Sequence, residues 1–254
     1  MAVTGAAGLG SLGQLRLTAA AAGGGRLYLQ LQKYTLENEA QKQGLETFLK
    51  DAFLPAGNRL GIRPIGVFYD SREVSPVYVL LPHPTLESAA TLTHRLLADS
   101  AFAGAAAGVL GASKSAKPYA EVESWLLLAF KGMPGVETPV KGAGRVFQLR
   151  IYESPSVQTG QKKIEMFNDA GEIKIFREVG LNPVFFGEAI FGAKLPNLTY
   201  MLGFESEEAQ KEAWGKFGKH PEWQKLRGMA EYADGTILRN IVNIPLKPAA
   251  YSQI

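Results

Sequence analysis

The sequence predicts an α+β fold in which two ferredoxin-like β-α-β-β-α-β units, in tandem, form one intrachain pseudo-dimeric α/β barrel. Three observations carry this. The first is internal repetition in order. Gly61-Ile62-Arg63-Pro64-Ile65-Gly66-Val67-Phe68 returns as Gly180-Leu181-Asn182-Pro183-Val184-Phe185-Phe186-Gly187, and Leu29-Gln30-Leu31-Gln32-Lys33-Tyr34 returns as Phe147-Gln148-Leu149-Arg150-Ile151-Tyr152. The shifts are 119 and 118 positions, and Phe102 falls on Trp223 at a shift of 121. The second is hydrophobic spacing, which changes from period two to steps of three and four at matching places in both copies. The third is size. Each copy, at about 110 residues, makes one sheet with helices on one face, so the other face needs a cover. The second copy supplies it.

The elements follow in order. Arg26 to Tyr34 alternates Leu27, Leu29, Leu31 against Tyr28, Gln30, Gln32, which is a strand. Leu45, Phe48, Ala52, Ala56 and Leu60 then step as one helix face, matched by Ile164, Phe167, Gly171, Ile175 and Val179. Pro55 predicts a kink in the first of these helices. Gly61 and Gly180 sit where a helix ends in a left-handed residue. Arg63 to Tyr69 and Asn182 to Phe191 read as second strands, Val77 to Leu81 and Leu198 to Phe204 as third strands. Ser75-Pro76 and Pro196-Asn197 are the turns between them. Second helices fall near Leu86 to Leu97 and Glu207 to Phe217, and closing strands at Glu121 to Phe130 and Ile237 to Leu246. The domain plan is residues 26–131, a Gly/Pro-rich linker at 132–144, residues 145–248 and a tail at 249–254.

Residues 1–25 stand apart as an Ala/Gly/Leu segment with Arg16 as its charge. One reading is the apolar and cleavage regions of a twin-arginine-like leader, which implies export to the periplasm. The other is a flexible leader or a mis-set start, which leaves the protein cytoplasmic. Both readings exclude the segment from the fold.

Composition removes several classes. With no cysteine there are no disulfides, thiolate nucleophiles, zinc–thiolate sites or iron–sulfur clusters. The net charge of +3 comes without a run of Lys or Arg, so no nucleic-acid partner is expected. No apolar stretch of about 18 residues follows residue 25, so no transmembrane span is expected. His83, His94 and His220 make no local metal motif, so no metal is expected; one His would suffice for a haem, but the expectation is no cofactor. Neither a phosphate-binding loop nor a Gly-x-Ser-x-Gly elbow occurs.

The second copy resembles the NIPSNAP family. The residues that carry this are Phe147 to Tyr152, Gly180-Leu181-Asn182-Pro183-Val184, Asn197-Leu198-Thr199-Tyr200-Met201-Leu202-Gly203-Phe204, His220-Pro221-Glu222-Trp223 and the closing Tyr251-Ser252-Gln253-Ile254. The likeness covers Arg145 to Pro248 and is fainter over Arg26 to Phe130, where Ala101-Phe102 stands in for the Pro-Glu-Trp word. The third-strand word Met201-Leu202-Gly203 departs from the charged or aromatic residues usual in the family. The resemblance implies a dimeric α/β-barrel fold, with both halves here in one chain. It implies no established reaction, and it places cofactor-independent monooxygenases among the related barrels.

In a barrel, one face of each strand meets the helices and the other lines the interior. If the apolar face meets the helices, then Gln30, Tyr34, Gln148, Arg150 and Tyr152 line a central cavity that binds a small hydrophobic molecule. The competing reading has these groups bonding one another as filling. Glu188 is a lone carboxylate among Phe185, Phe186 and Ile190, either an acid or base raised by burial or one arm of a salt bridge to Arg177 or Lys194. His220, between Trp214 and Trp223, is either a general base or a helix cap. Trp214, Phe217 and Trp223 have the spacing of core residues.

Two functions remain. One is a binding module of the NIPSNAP type for a small molecule or a protein partner, as monomer or homodimer. The alternative is a monooxygenase-like or isomerase-like barrel enzyme acting on a hydrophobic small molecule through Arg150, Tyr152 and His220.

Overall fold

The structure is a computed structural model that describes residues 18–19 and 25–254. The first half begins with β1 (Tyr28–Thr35). Helix α1 (Glu39–Thr47) starts at Asn38, whose side chain accepts from the Gln41 N–H. The chain continues through a π-helical turn, Phe48–Phe53, into α2 (Leu54–Arg59). The break expected at Pro55 takes this form. The Leu54 N–H donates to the Leu49 carbonyl, five residues back, so the ladder shifts ahead of a residue with no N–H. Gly61, at φ 78°, ends the helix as its position predicts. Then come β2 (Gly66–Asp70), β3 (Val77–His83), the short helices α3 (Leu86–Ala90), α4 (Leu92–Leu97), α5 (Ser100–Ala105) and α6 (Ala107–Leu110), and β4 (Glu121–Ala129).

The second half repeats this order with β5 (Val146–Glu153), α7 (Val157–Asn168), α8 (Glu172–Glu178), β6 (Asn182–Phe191), β7 (Asn197–Phe204), α9 (Glu207–Lys219), α10 (Pro221–Arg227), α11 (Asp234–Ile237) and β8 (Asn240–Pro248). The single helix expected over Ile164 to Val179 is two, because Gly171 turns left-handed at φ 95° between α7 and α8.

All eight strands close one antiparallel barrel in the order β8-β2-β3-β1-β4-β6-β7-β5, with β5 pairing back to β8. Each half therefore has the ferredoxin-like strand order 2-3-1-4. The halves join at two seams. β4 pairs with β6 through Leu128 and Glu188, and β8 pairs with β2 through Leu246 and Asp70.

The faces of the first strands are the reverse of the expectation. Leu29, Leu31, Phe147 and Leu149 meet Phe68, Met201 and Leu246 in one cluster inside the barrel. Tyr34 and Tyr152 instead belong to two outer clusters, each between one half-sheet and its own helices. The reason is room. The interior of an eight-stranded barrel is just wide enough for side chains to fill, and a glutamine or arginine there would find no partner. The helix layer supplies partners from its own side chains.

One barrel end is sealed by Val136 and Val140 of the linker and by Ile254 of the tail. The backbone of Thr18–Ala19, inside the segment expected to stay outside the fold, pairs with Val136–Glu137; the rest of that segment up to residue 24 lies outside the described residues. Gln253 Oε1 accepts from the Ile65 N–H at 2.7 Å and Ser252 Oγ from the Val67 N–H at 3.0 Å. These bonds hold Ile254 in the barrel end. Ile254→Ala is expected to lower unfolding free energy by about 2–4 kcal/mol, read by urea denaturation. A loss within about 0.5 kcal/mol, typical of surface sites, would mean that the tail does not seal the barrel.

Candidate functional site

In the first half, Gln30 sits on the helix side of β1. His83 of β3 faces it with Nε2 3.2 Å from Gln30 Oε1, and Gln30 Nε2 donates to Ser124 Oγ at 3.0 Å. His83 Nδ1 lies 3.1 Å from Ser88 Oγ, which also accepts from Arg95. The relay is complete with a neutral imidazole. Burial, and then the Arg95 charge, pull the His83 pKa down to about 4 from 6.5. Tyr34 donates to Gln32 Oε1 at 2.9 Å and stacks edge-on against Tyr119. Gln30 and Tyr34 are thus bonded parts of the sheet–helix layer.

A depressed histidine stabilises the fold at neutral pH, and that contribution is lost as pH falls. Between 6.5 and 4 the unfolded chain takes up a proton that native His83 refuses. At pH 4.5 the loss from this residue is about 2–3 kcal/mol. Comparing urea unfolding at pH 7 and pH 4.5 for wild type and His83→Gln isolates it. An equal pH response in both proteins would refute the assignment.

The second half holds a denser group. On β5, Gln148 Nε2 donates to Asn243 Oδ1 at 2.8 Å, and its Oε1 accepts from Trp214 Nε1 at 2.8 Å. Arg150 Cζ lies 4.8 Å from the Trp214 ring centroid and 5.3 Å from that of Tyr152. Its Nε is buried without a hydrogen-bond partner. Tyr152 Oη and Tyr200 Oη are 2.9 Å apart. Burial raises both phenols above their ordinary range. Beneath them Lys163 of α7, 1% exposed, lies 3.4 Å from Glu172 of α8, 2% exposed, with Asp234 at 3.7 Å. The Lys163 ammonium also lies over the Phe167 ring at 5.2 Å and the Tyr152 ring at 5.5 Å. Burial raises the Glu172 carboxyl, and Lys163 opposes that rise.

The first half has no such group at the equivalent places. Where β5 pairs Arg150 with Tyr200, β1 pairs Gln32 with Val79. Arg150, Tyr152 and Gln148 therefore converge, as the sequence suggested, but on the helix side of the sheet. Lys163 and Glu172 are not among the residues expected at a site, and Tyr200 stands in the sequence only as part of the family word. A signal was present: Lys163 precedes Phe167 by four residues, and Glu172 precedes Phe176 by four. Each charge thus shares a helix face with a core aromatic.

His220 ends α9 and begins α10, the capping place. Its Nε2 is 3.6 Å from Glu178, and its Nδ1 is buried without a partner. Glu188 accepts from Gln161 and lines a groove of about 360 Å³ with Ile164 and Leu195. The salt bridges expected for it are made elsewhere: Arg177 pairs with Glu137 and Lys194 with Glu153. Among the described residues, no group of three or more His, Cys, Asp or Glu side chains could hold a metal ion, and no helix is long and apolar enough to cross a membrane.

The eight-stranded barrel closed from two ferredoxin-like halves makes this an intrachain pseudo-dimeric α/β-barrel protein. Residues 147–253, in its second half, match the NIPSNAP family model. Among solved structures, a proposed monooxygenase from Lactobacillus acidophilus NCFM is similar over 88% of this chain and 94% of its own, with a TM-score of 0.59 at 12% identity. An anthrone oxidase-like protein is similar over 92% of this chain and 94% of its own, with a TM-score of 0.56 at 9% identity. These two share the barrel fold. A NIPSNAP-like domain protein from Burkholderia xenovorans is 22% identical over 43% of this chain and 90% of its own, with a TM-score of 0.38. No curated protein matches the chain.

Proposed function

We propose that this chain is a small-molecule-binding barrel module. Its site lies between β5 and the helices of the second half, and its ligand is an organic anion with a flat apolar body. One observation carries the reading. Arg150 is largely buried between Trp214 and Tyr152, its Nε has no partner, and its leading electrostatic neighbours are the phenols of Tyr200 and Tyr152, with the Glu172 carboxylate behind them. Buried charges are ordinarily paired, as Lys163 is with Glu172. A flat anion would supply a partner for the Nε and a direct counter-charge, and would extend the ring stack.

Native mass spectrometry beside the denatured mass tests this. A mass excess that vanishes on denaturation, and that falls at least tenfold in occupancy in Arg150→Gln, is the expected result. A bare wild-type chain, together with an Arg150→Leu variant more stable than wild type, would make Arg150 a packing residue and refute the proposal.

A second reading uses the same place. The Tyr152–Tyr200 phenol pair beside Arg150 would hand a proton to, or take one from, a bound hydrophobic substrate, as a monooxygenase-like or isomerase-like enzyme requires. Tyr152→Phe, which keeps the ring and removes the hydroxyl, separates the two: turnover would be lost, whereas binding would persist. We also read the common strand order and the repeated words of the two halves as the trace of a duplicated unit.

A further inference from the structure

The barrel end opposite Ile254 is not sealed. There the inward faces of the strands leave a cavity of about 250 Å³ walled by Leu31, Tyr78, Trp125, Ile151, Val242 and Ile244. That is room for roughly eight water volumes at ~30 Å³ each. We infer that this mouth is a second binding site, distinct from that at Arg150, and that it takes an apolar monocarboxylate, a medium-chain or aryl-alkyl acid.

The wall sets the body of the ligand. Thr199 and Asn197 in the wall are already engaged: Thr199 Oγ1 donates to Asn197 Oδ1 at 3.3 Å, and Asn197 Nδ2 donates to the Ala193 and Lys194 carbonyls at 3.2 and 3.3 Å. Apart from the Tyr78 phenol and the charged rim, the surface left to be covered is apolar. Gly192 leaves room for Trp125 in the wall, where a Cβ would collide with the indole ring.

The rim sets the head group. Lys33 and Glu123 pair one to one at 2.6 Å. Lys194 differs. Its side chain is 69% exposed and lies 3.7 Å from Glu153, a carboxylate already held by Arg239 at 3.1 Å and Asn240 at 3.2 Å. Lys194 can therefore turn to a ligand carboxylate without leaving Glu153 unpaired. A cationic ligand would have to break one of those carboxylates away from its existing partners. The mouth thus offers a mainly apolar shaft with Lys194 as a spare cation at its lip.

The test uses octanoate and its neutral counterpart octanamide, titrated into the full chain by isothermal calorimetry. Octanoate is expected to bind about tenfold more tightly than octanamide, the advantage of a charge-assisted contact. Lys194→Gln should erase that difference. Val242→Phe, or Ile151→Phe should the first fail to fold as judged by its thermal midpoint, should abolish binding of both. Arg150→Gln should leave octanoate affinity unchanged, which separates this site from the one proposed above. No binding of either compound, octanoate binding that survives filling of the mouth, or affinity indifferent to Lys194 would each overturn the inference.

Discussion

Lys163→Ala is expected to lower the unfolding free energy by about 3–5 kcal/mol, because it leaves Glu172 buried without its ion-pair partner. For a chain of this length that is a fall in thermal midpoint on the order of 10 °C. The loss should depend on pH in a defined sense. A carboxyl whose folded pKa is raised above 4.5 binds its proton more tightly when folded, so stability falls as pH rises through that window. The variant should therefore recover towards wild type as pH drops to about 4.5. Replacing both partners, as Lys163→Met with Glu172→Leu, should restore most of the stability at neutral pH, since an apolar pair of similar volume leaves no uncompensated charge. Urea denaturation of the two variants at two pH values decides it. A single-variant loss below about 1 kcal/mol would show that water reaches the pair.

Phe186→Ala should cost about 3–5 kcal/mol for a different reason. Phe186 is fully buried and stands at the hub of the second half's aromatic cluster. Its ring centroid is 5.1 Å from Tyr200, 5.2 Å from Phe167, 5.8 Å from Phe130 and 6.0 Å from Phe176. Removing it leaves a cavity that stiff rings cannot collapse to fill, and removes several favourable ring pairs at once. Unlike Lys163→Ala, this loss should be independent of pH. Calorimetry at pH 5 and pH 7 would separate the two variants, and a pH-dependent loss in Phe186→Ala would contradict the packing account.

The candidate site was half legible. Gln148, Arg150 and Tyr152 stood out because a strand with polar side chains at alternate positions has two unlike faces. Period two says that the faces differ, but not which one turns inward. His220 was visible as a residue before proline at a helix end, and it sits at that cap. Lys163 and Glu172 were obscured by their ordinary places on amphipathic helices, where a charge usually marks the solvated side. Their burial depends on α11, whose Asp234 approaches Lys163, and on Tyr152 from the sheet. Neither contact is local in sequence.

What the sequence by itself determined is the local grammar. Leu27 to Leu31 alternate, the core steps recur at a constant shift, and Gly61 and Gly180 take the left-handed conformation that stops a helix. Each of these rests on backbone sterics or on side-chain period within a few residues. The tertiary structure alone decided which face of each strand is inside, which charges are buried, and which barrel end stays open. Those outcomes follow from closing eight strands around a narrow space that apolar side chains largely fill. The polar groups on the outer faces of β1 and β5 meet the helix layer, where donors and acceptors from distant parts of the chain complete their bonds.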